Sequence, residues 1–177
     1  MPKASATMYE AALDQAWGMF ADHLQGQRLG TFLVVSARPL HEAAQTACRN
    51  SARALGYGDD GAVVASLEAF GAPDSLDASG PVDSPDGSDR PDAQALDPRS
   101  LFVLVEGIDP LCLVCADRTS AEALSAGYRC PLALGERASL LGRPFVAFDD
   151  FESLMETDRG KQEAWALLRT LPKFGER

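Results

Sequence analysis

The sequence predicts an α/β protein, a three-layer α/β/α sandwich on a central four-stranded parallel sheet. Four short runs rich in apolar residues recur along the chain: "TFLVVS", "AVVASL", "LCLVCA" and "PFVAF". They are largely continuous rather than alternating, the pattern of strands buried on both faces. Between them lie segments whose apolar residues repeat at three- and four-residue spacing, which is the helical period. Strand, helix, strand in succession gives parallel pairing with helices covering the sheet.

In chain order, a first helix is expected from Ala6 to Leu24, with Met8, Ala12, Ala16, Met19 and Phe20 on one face. Thr31 to Ser36 is the first strand. "LHEAAQTACRNSARALG" is a helix whose stripe of mostly small residues (Ala44, Ala47, Cys48, Ser51, Ala52, Leu55) permits close approach to a sheet, and Gly56 suits its C-terminal cap. Ala62 to Leu67 is the second strand. "DPRSLFVLVEGI" opens with an Asp cap and Pro98 in the first turn. "LCLVCA" is the third strand, and Thr119 with Glu122 marks a capping box for the next helix. Pro144 to Phe148 is the fourth strand. Two helices complete the chain, the first around Phe151, Leu154 and Met155, the second around Trp165, Leu168 and Leu171.

At 177 residues the chain is one domain by size, spanning residues 1–177. Within it, Gly71 to Arg99 has almost no large apolar residue. Its seven Asp and two Arg give −5 of the net charge of −10. Such a segment buries too little to offset its ordering entropy and is expected to be a disordered insertion. Overall, 16 Lys and Arg against 26 Asp and Glu exclude a general DNA-coating role, because nucleic-acid affinity is built on phosphate neutralisation. Nucleic-acid binding is therefore expected to be weak. No apolar run approaches the roughly 20 residues that span a bilayer, and the N-terminus lacks a basic stretch followed by an apolar core. The expectation is a cytoplasmic protein with no membrane partner. Cys112 and Cys115 form a C-x-x-C on a strand, where residues three apart face opposite ways. With Cys48 and Cys130 they read as plain thiols, and neither metal nor cofactor is expected.

Taken in order, these segments resemble the uracil-DNA glycosylase superfamily, from Thr31 to Leu171. "FLVVSARPLHEAAQTACRNSARALGYG" is similar to its first strand, active-site loop and following helix. "SLFVLVEGIDPLCLVCADRTSAEALSAGY" is similar to the later helix, strand and helix. The family tail H-P-S-x-L-L-R-x-P-x-x-K-x-x-x-W-x-x-L is matched at Leu154, Met155, Lys161, Trp165 and Leu168. The resemblance implies the sheet order 2-1-3-4, numbering the four expected strands along the chain. It also implies a pocket at the strands' carboxyl ends, bounded by the first loop and the segment before the tail helices. Candidate pocket residues are thus Ser36, Arg38, Pro39, His41, Asp149 and Asp150.

The departures fall where chemistry would occur. Only Pro39 is kept from the family's G-E-A-P-G loop, and Asp150 stands at the position of the H-P-S histidine. A carboxylate there repels the negative charge on a departing base unless its pKa is strongly raised. The iron–sulfur cysteines of some branches are not reproduced. Catalytic residues are accordingly expected to be absent, as in the non-catalytic clamp-loader psi branch, which bridges proteins and has a similar tail. The expectation is a protein that works through protein–protein contacts, with DNA replication or repair as the setting by analogy. The alternatives are a divergent DNA glycosylase or nucleic-acid hydrolase using Asp150 or His41, and an unrelated α/β protein. His41 otherwise reads as an exposed residue at a helix start, His23 as a surface residue near carbonyls, Arg38 as a surface group, Asp149–Asp150 as a strand-to-helix cap, and Trp165 as a core anchor. No Ser–His–Asp order, phosphate-binding glycine loop or H-E-x-x-H occurs.

Overall fold

The structure, a computed structural model, describes residues 7–71 and 95–175. Residues 72–94, most of the acidic stretch, lie outside the described residues. The end of that stretch does not: Leu96 N donates to Leu67 O at 2.8 Å, and Pro98 and Arg99 already belong to a helix.

The chain runs α1 (Met8–Met19), a 3-10 turn (Ala21–His23), β1 (Leu24–Gly26), β2 (Phe32–Ser36), α2 (Glu42–Ala54) and β3 (Ala62–Ser66). It continues through α3 (Pro98–Ile108), β4 (Cys112–Cys115), α4 (Arg118–Tyr128), β5 (Arg137–Leu140), β6 (Arg143–Ala147), α5 (Phe151–Leu154) and α6 (Asp158–Leu168). The sheet is mixed and six-stranded, in the order β1-β3-β2-β4-β6-β5. Its interior strands β3, β2, β4 and β6, which are the four expected from sequence, run parallel. Phe32 stands opposite Ala62 and Cys112, and Leu113 opposite Phe145.

The expected four-stranded all-parallel sheet is therefore corrected by two antiparallel edge strands, β1 on β3 and β5 on β6. An edge strand has a solvent side and needs no apolar run. Each of these two buries one residue, Leu24 and Leu140. A two-residue turn, Leu141–Gly142, joins β5 to β6 with φ of 49° and 85°. Two positive φ angles in a tight hairpin usually select Asn-Gly or Asp-Gly, and Leu-Gly hides that signal.

Side chains of the interior strands alternate between two cores. Leu33, Val35, Val63, Leu113, Cys115 and Phe145 meet α1, α3 and α4 on one face. Phe32, Val34, Val64, Cys112, Val114 and Val146 meet α2, α5 and α6 on the other. Burial on both sides explains why these strands read as unbroken apolar runs.

The first helix ends at Met19, before the expected Leu24. Phe20 closes it, and Leu24 is drawn into β1 beside Ala65. Its buried stripe is Leu13, Ala16 and Phe20, while Met8 and Met19 face outward. Helix α2 ends on Gly56, at φ 87°, with Tyr57 N donating to Ala52 O and Gly56 N to Arg53 O. Asp97 caps α3 through Ser100 N. Helix α4 is not capped by the Thr119–Glu122 box; Asp117 takes that place, accepting from Ser120 N. A carboxylate directly after a strand reaches the orphan amides first. Among the described residues no helix is long and apolar enough to cross a membrane.

At the opposite end of the sheet, Arg143 binds Glu106 through both guanidinium nitrogens, at 2.6 and 3.2 Å, and Asp109 at 2.9 Å, while Tyr128 Oη donates to Glu106. The Arg143 bond, aided by Tyr128, holds the Glu106 carboxyl below its usual range despite an opposing effect of burial. A depressed carboxylate pKa contributes stability that is complete above the unfolded value, near 4.5, and is lost as pH falls through the lower folded value. Glu106→Gln is expected to cost about 1 kcal/mol at neutral pH, a modest figure because the side chain is a third exposed. The gap from wild type should close as urea midpoints are followed down towards pH 3. Where α5 meets α6, a Cβ on Gly160 would run into the Leu154 backbone. Gly160→Ala should destabilise by about 1–3 kcal/mol in urea titration, opposite in sign to the ~1 kcal/mol gain alanine brings to a free helix.

Candidate functional site

In open α/β sheets ligands settle at the strands' carboxyl ends, where chain connections leave in opposite directions. Here that point lies between β2 and β4. The connection after β2 leads to β3 on one side, and β4 leads on to β6 on the other. The crevice mouth is formed by residues 37–41, by Ala116–Asp117, and by the segment from Phe148 to Glu152.

Asp117 sits in this mouth, half-buried. Its Oδ2 accepts from Ala37 N at 2.7 Å and its Oδ1 from Ser120 N at 2.7 Å. Its backbone forms a bridge with Asp150, Arg118 N donates to Asp149 O, and Phe151 N to Ala116 O. Glu152 reaches across an adjoining cavity of about 420 Å3: its Oε1 accepts from His41 N and lies 3.1 Å from His41 Nδ1. Two backbone N–H groups at the mouth, those of Ala37 and His41, thus donate to the protein's own carboxylates. Neither Asp117 nor Glu152 is a residue the sequence pattern singles out. The available signal was positional: an acid following a strand, three residues ahead of Ser120.

The six expected residues are gathered around this mouth, but they do not form one reactive cluster. Ser36 is fully buried and stands in register with Ser66; neither hydroxyl meets a hydrogen-bond partner among the described residues. Arg38 is exposed and Pro39 half-buried. His41 occupies the N-cap position of α2 without capping it, and its side chain is 84% exposed. Asp149 and Asp150 diverge. Asp149 pairs with Arg118 Nε at 2.8 Å, whereas Asp150 caps α5, accepting from Ser153 Oγ at 2.6 Å and Ser153 N at 3.0 Å. These Ser153 bonds hold the Asp150 carboxyl below its usual range, so at neutral pH it accepts protons in hydrogen bonds and does not donate one. His23 turns inward to the Ser66 carbonyl, 2.9 Å from Nδ1.

Cys112 and Cys115 face opposite cores, as a strand requires. Burial pushes the Cys112 and Cys48 thiols up to about 12 and raises Cys115 as well. Thiols so raised are protonated and unreactive at neutral pH.

Beside the mouth, α2 and the α5–α6 pair leave an open apolar trough of about 460 Å3. Trp165 forms part of its wall. The expected core anchor is in fact 39% exposed, because Ala164 and Leu168 are the α6 residues turned to the sheet. No protein-family model matches the chain, and no curated protein matches its sequence.

Asp117→Ala removes two charge-assisted bonds and leaves the half-buried loop amide unpaired. It should cost about 2–4 kcal/mol in chemical denaturation. Asp117→Asn, with one acceptor oxygen, should fall between that variant and wild type, while Arg38→Ala should change stability by less than about 0.5 kcal/mol.

Proposed function

We propose that this chain is a non-catalytic member of the uracil-DNA glycosylase-like fold family, acting through protein–protein contacts in a DNA replication or repair assembly. The observation that carries this reading is the state of the pocket mouth. A glycosylase must receive an extruded base and stabilise negative charge as the glycosidic bond breaks. At the position where the family places a donor, Asp150 is an ionised cap bound to Ser153. The Ala37 and His41 amides, which an anion or a base oxygen would need, already donate to Asp117 and Glu152. Carboxylates so placed repel nucleic-acid phosphate, in keeping with a net charge of −10. The setting in replication or repair rests on the family resemblance alone, which is a warrant of fold and not of activity.

The test is incubation of the purified protein with uracil-containing single- and double-stranded oligonucleotides, alongside affinity capture from native extract read by mass spectrometry. No uracil release above buffer is expected, and the captures should return the same replication or repair protein in repeated preparations. Release that scales with protein concentration and disappears in Asp150→Ala would overturn the reading.

A further inference from the structure

The trough between α2 and α6 has an apolar floor made of Phe151, Ala164 and Leu168, all at most 2% exposed. Helix α2 gives its wall only short side chains, among them Ala43, Ala47 and Ala54, so none of the described residues fills the space. Trp165 stands across from them with much of its indole uncovered, although such a ring favours burial strongly.

The rim is basic. Lys161 lines the trough, Arg49 donates to Thr46 Oγ1 at 3.1 Å, and Arg53 donates to Asn50 Oδ1 at 2.9 Å; Thr46 and Asn50 are themselves wall residues. Three cations thus stand close to one apolar groove in a chain that carries −10 overall. Their own acidic neighbours are loosely held. Arg53 is 3.6 Å from Asp59 and Lys161 is 3.5 Å from Asp158, with every one of those side chains more than half exposed. Exposed pairs of this kind contribute about 0–1 kcal/mol, so an incoming carboxylate can replace them at little cost.

We propose that this trough is a docking groove for an acidic amphipathic helix of another protein. An apolar side chain of that helix seats against Trp165 over the Phe151–Leu168 floor, and its flanking carboxylates meet Arg49, Arg53 and Lys161. Grooves between two helices receive such segments through apolar anchors at i, i+3 or i+4, and i+7. The inference rests on the reading that the chain works through protein contacts, and it assigns the contact to a helix face beside the crevice between β2 and β4.

The test is to pan a phage-displayed library of random peptides, each about 16 residues or four helical turns long, on the immobilised full-length protein. Enriched peptides should be acidic with apolar residues at helical spacing. Measured by fluorescence anisotropy, their affinity should fall about tenfold or more in Trp165→Ala and in the Arg49→Glu, Arg53→Glu double variant. It should also weaken as salt is raised. Both variants change exposed residues, and an unaltered urea midpoint confirms that they fold. Absence of enrichment, basic or patternless winners, or binding indifferent to both variants would overturn the groove. Self-association abolished by Trp165→Ala would overturn it in favour of a second copy as occupant. A partner captured from native extract and retained equally by both variants sinks the groove but leaves the protein-contact reading intact; uracil release sinks that reading whatever the peptides do.

Discussion

The Asp117 carboxylate joins groups that are 80 residues apart in the chain, the Ala37 amide after β2 and the Asp117–Ser120 turn that opens α4. Both bonds are charge-assisted and both lie at the point where the sheet's connections diverge. Parallel strands require long crossovers, and each crossover leaves helix-end amides near the strand tips. The ladder fixes the spacing of β2 and β4, and a single acid ties the loop leaving β2 to the helix start that follows β4. It also determines where residues 37–41 can run, and so where α2 begins. The arrangement of the mouth follows from that one side chain: Glu152 reaches His41 only because α5 starts from a segment bridged to Asp117.

The same logic accounts for part of the acidic balance. Asp97, Asp117 and Asp150 cap α3, α4 and α5, and Glu10 completes the capping box of α1. Glu152 supplies the start of α2 from outside its own helix. Carboxylates at helix N-termini are stabilised by the orphan amides and the helix dipole. For these residues negative charge is an architectural material, and the amides they occupy are withdrawn from any anionic ligand.

How much of this was legible depended on whether burial had written it into the sequence. The four interior strands are buried on both faces, so they appear as apolar runs from Phe32, Ala62, Cys112 and Phe145 onward. Edge strands carry no such imprint. Leu24–Gly26 and Arg137–Leu140 bury one residue each, and Leu141–Gly142 turns without the residues that advertise a hairpin. The expected face of α1 holds at Ala16 and Phe20 but not at Met8, Ala12 and Met19, because methionines resemble core residues in a periodic count; Leu13 completes the contact with α3 and the sheet. The candidate site was legible as a location but not as chemistry. Residues 36–41 and 149–150 do converge, yet the groups that determine the mouth's character, Asp117 and Glu152, act through loop amides whose meeting is a tertiary event.

Two surfaces on neighbouring parts of the molecule therefore differ in kind. The sheet's carboxyl edge is polar: two backbone N–H groups there pair with carboxylates held by strand tips and helix ends. The α2–α6 trough is apolar, left open by the described residues, and flanked by Arg53 and Lys161, whose acidic neighbours Asp59 and Asp158 lie at 3.6 and 3.5 Å. On the reading proposed above, recognition rests on area offered to a polypeptide beside Trp165 and not on donors aimed at a small ligand. Small α2 side chains serve both ends of that arrangement. Ala44 and Ala52 bring the helix close to the sheet, and Ala43, Ala47 and Ala54 leave its outer side low enough to form a groove. Ala47 belongs to both sides, lining the trough while packing against the core.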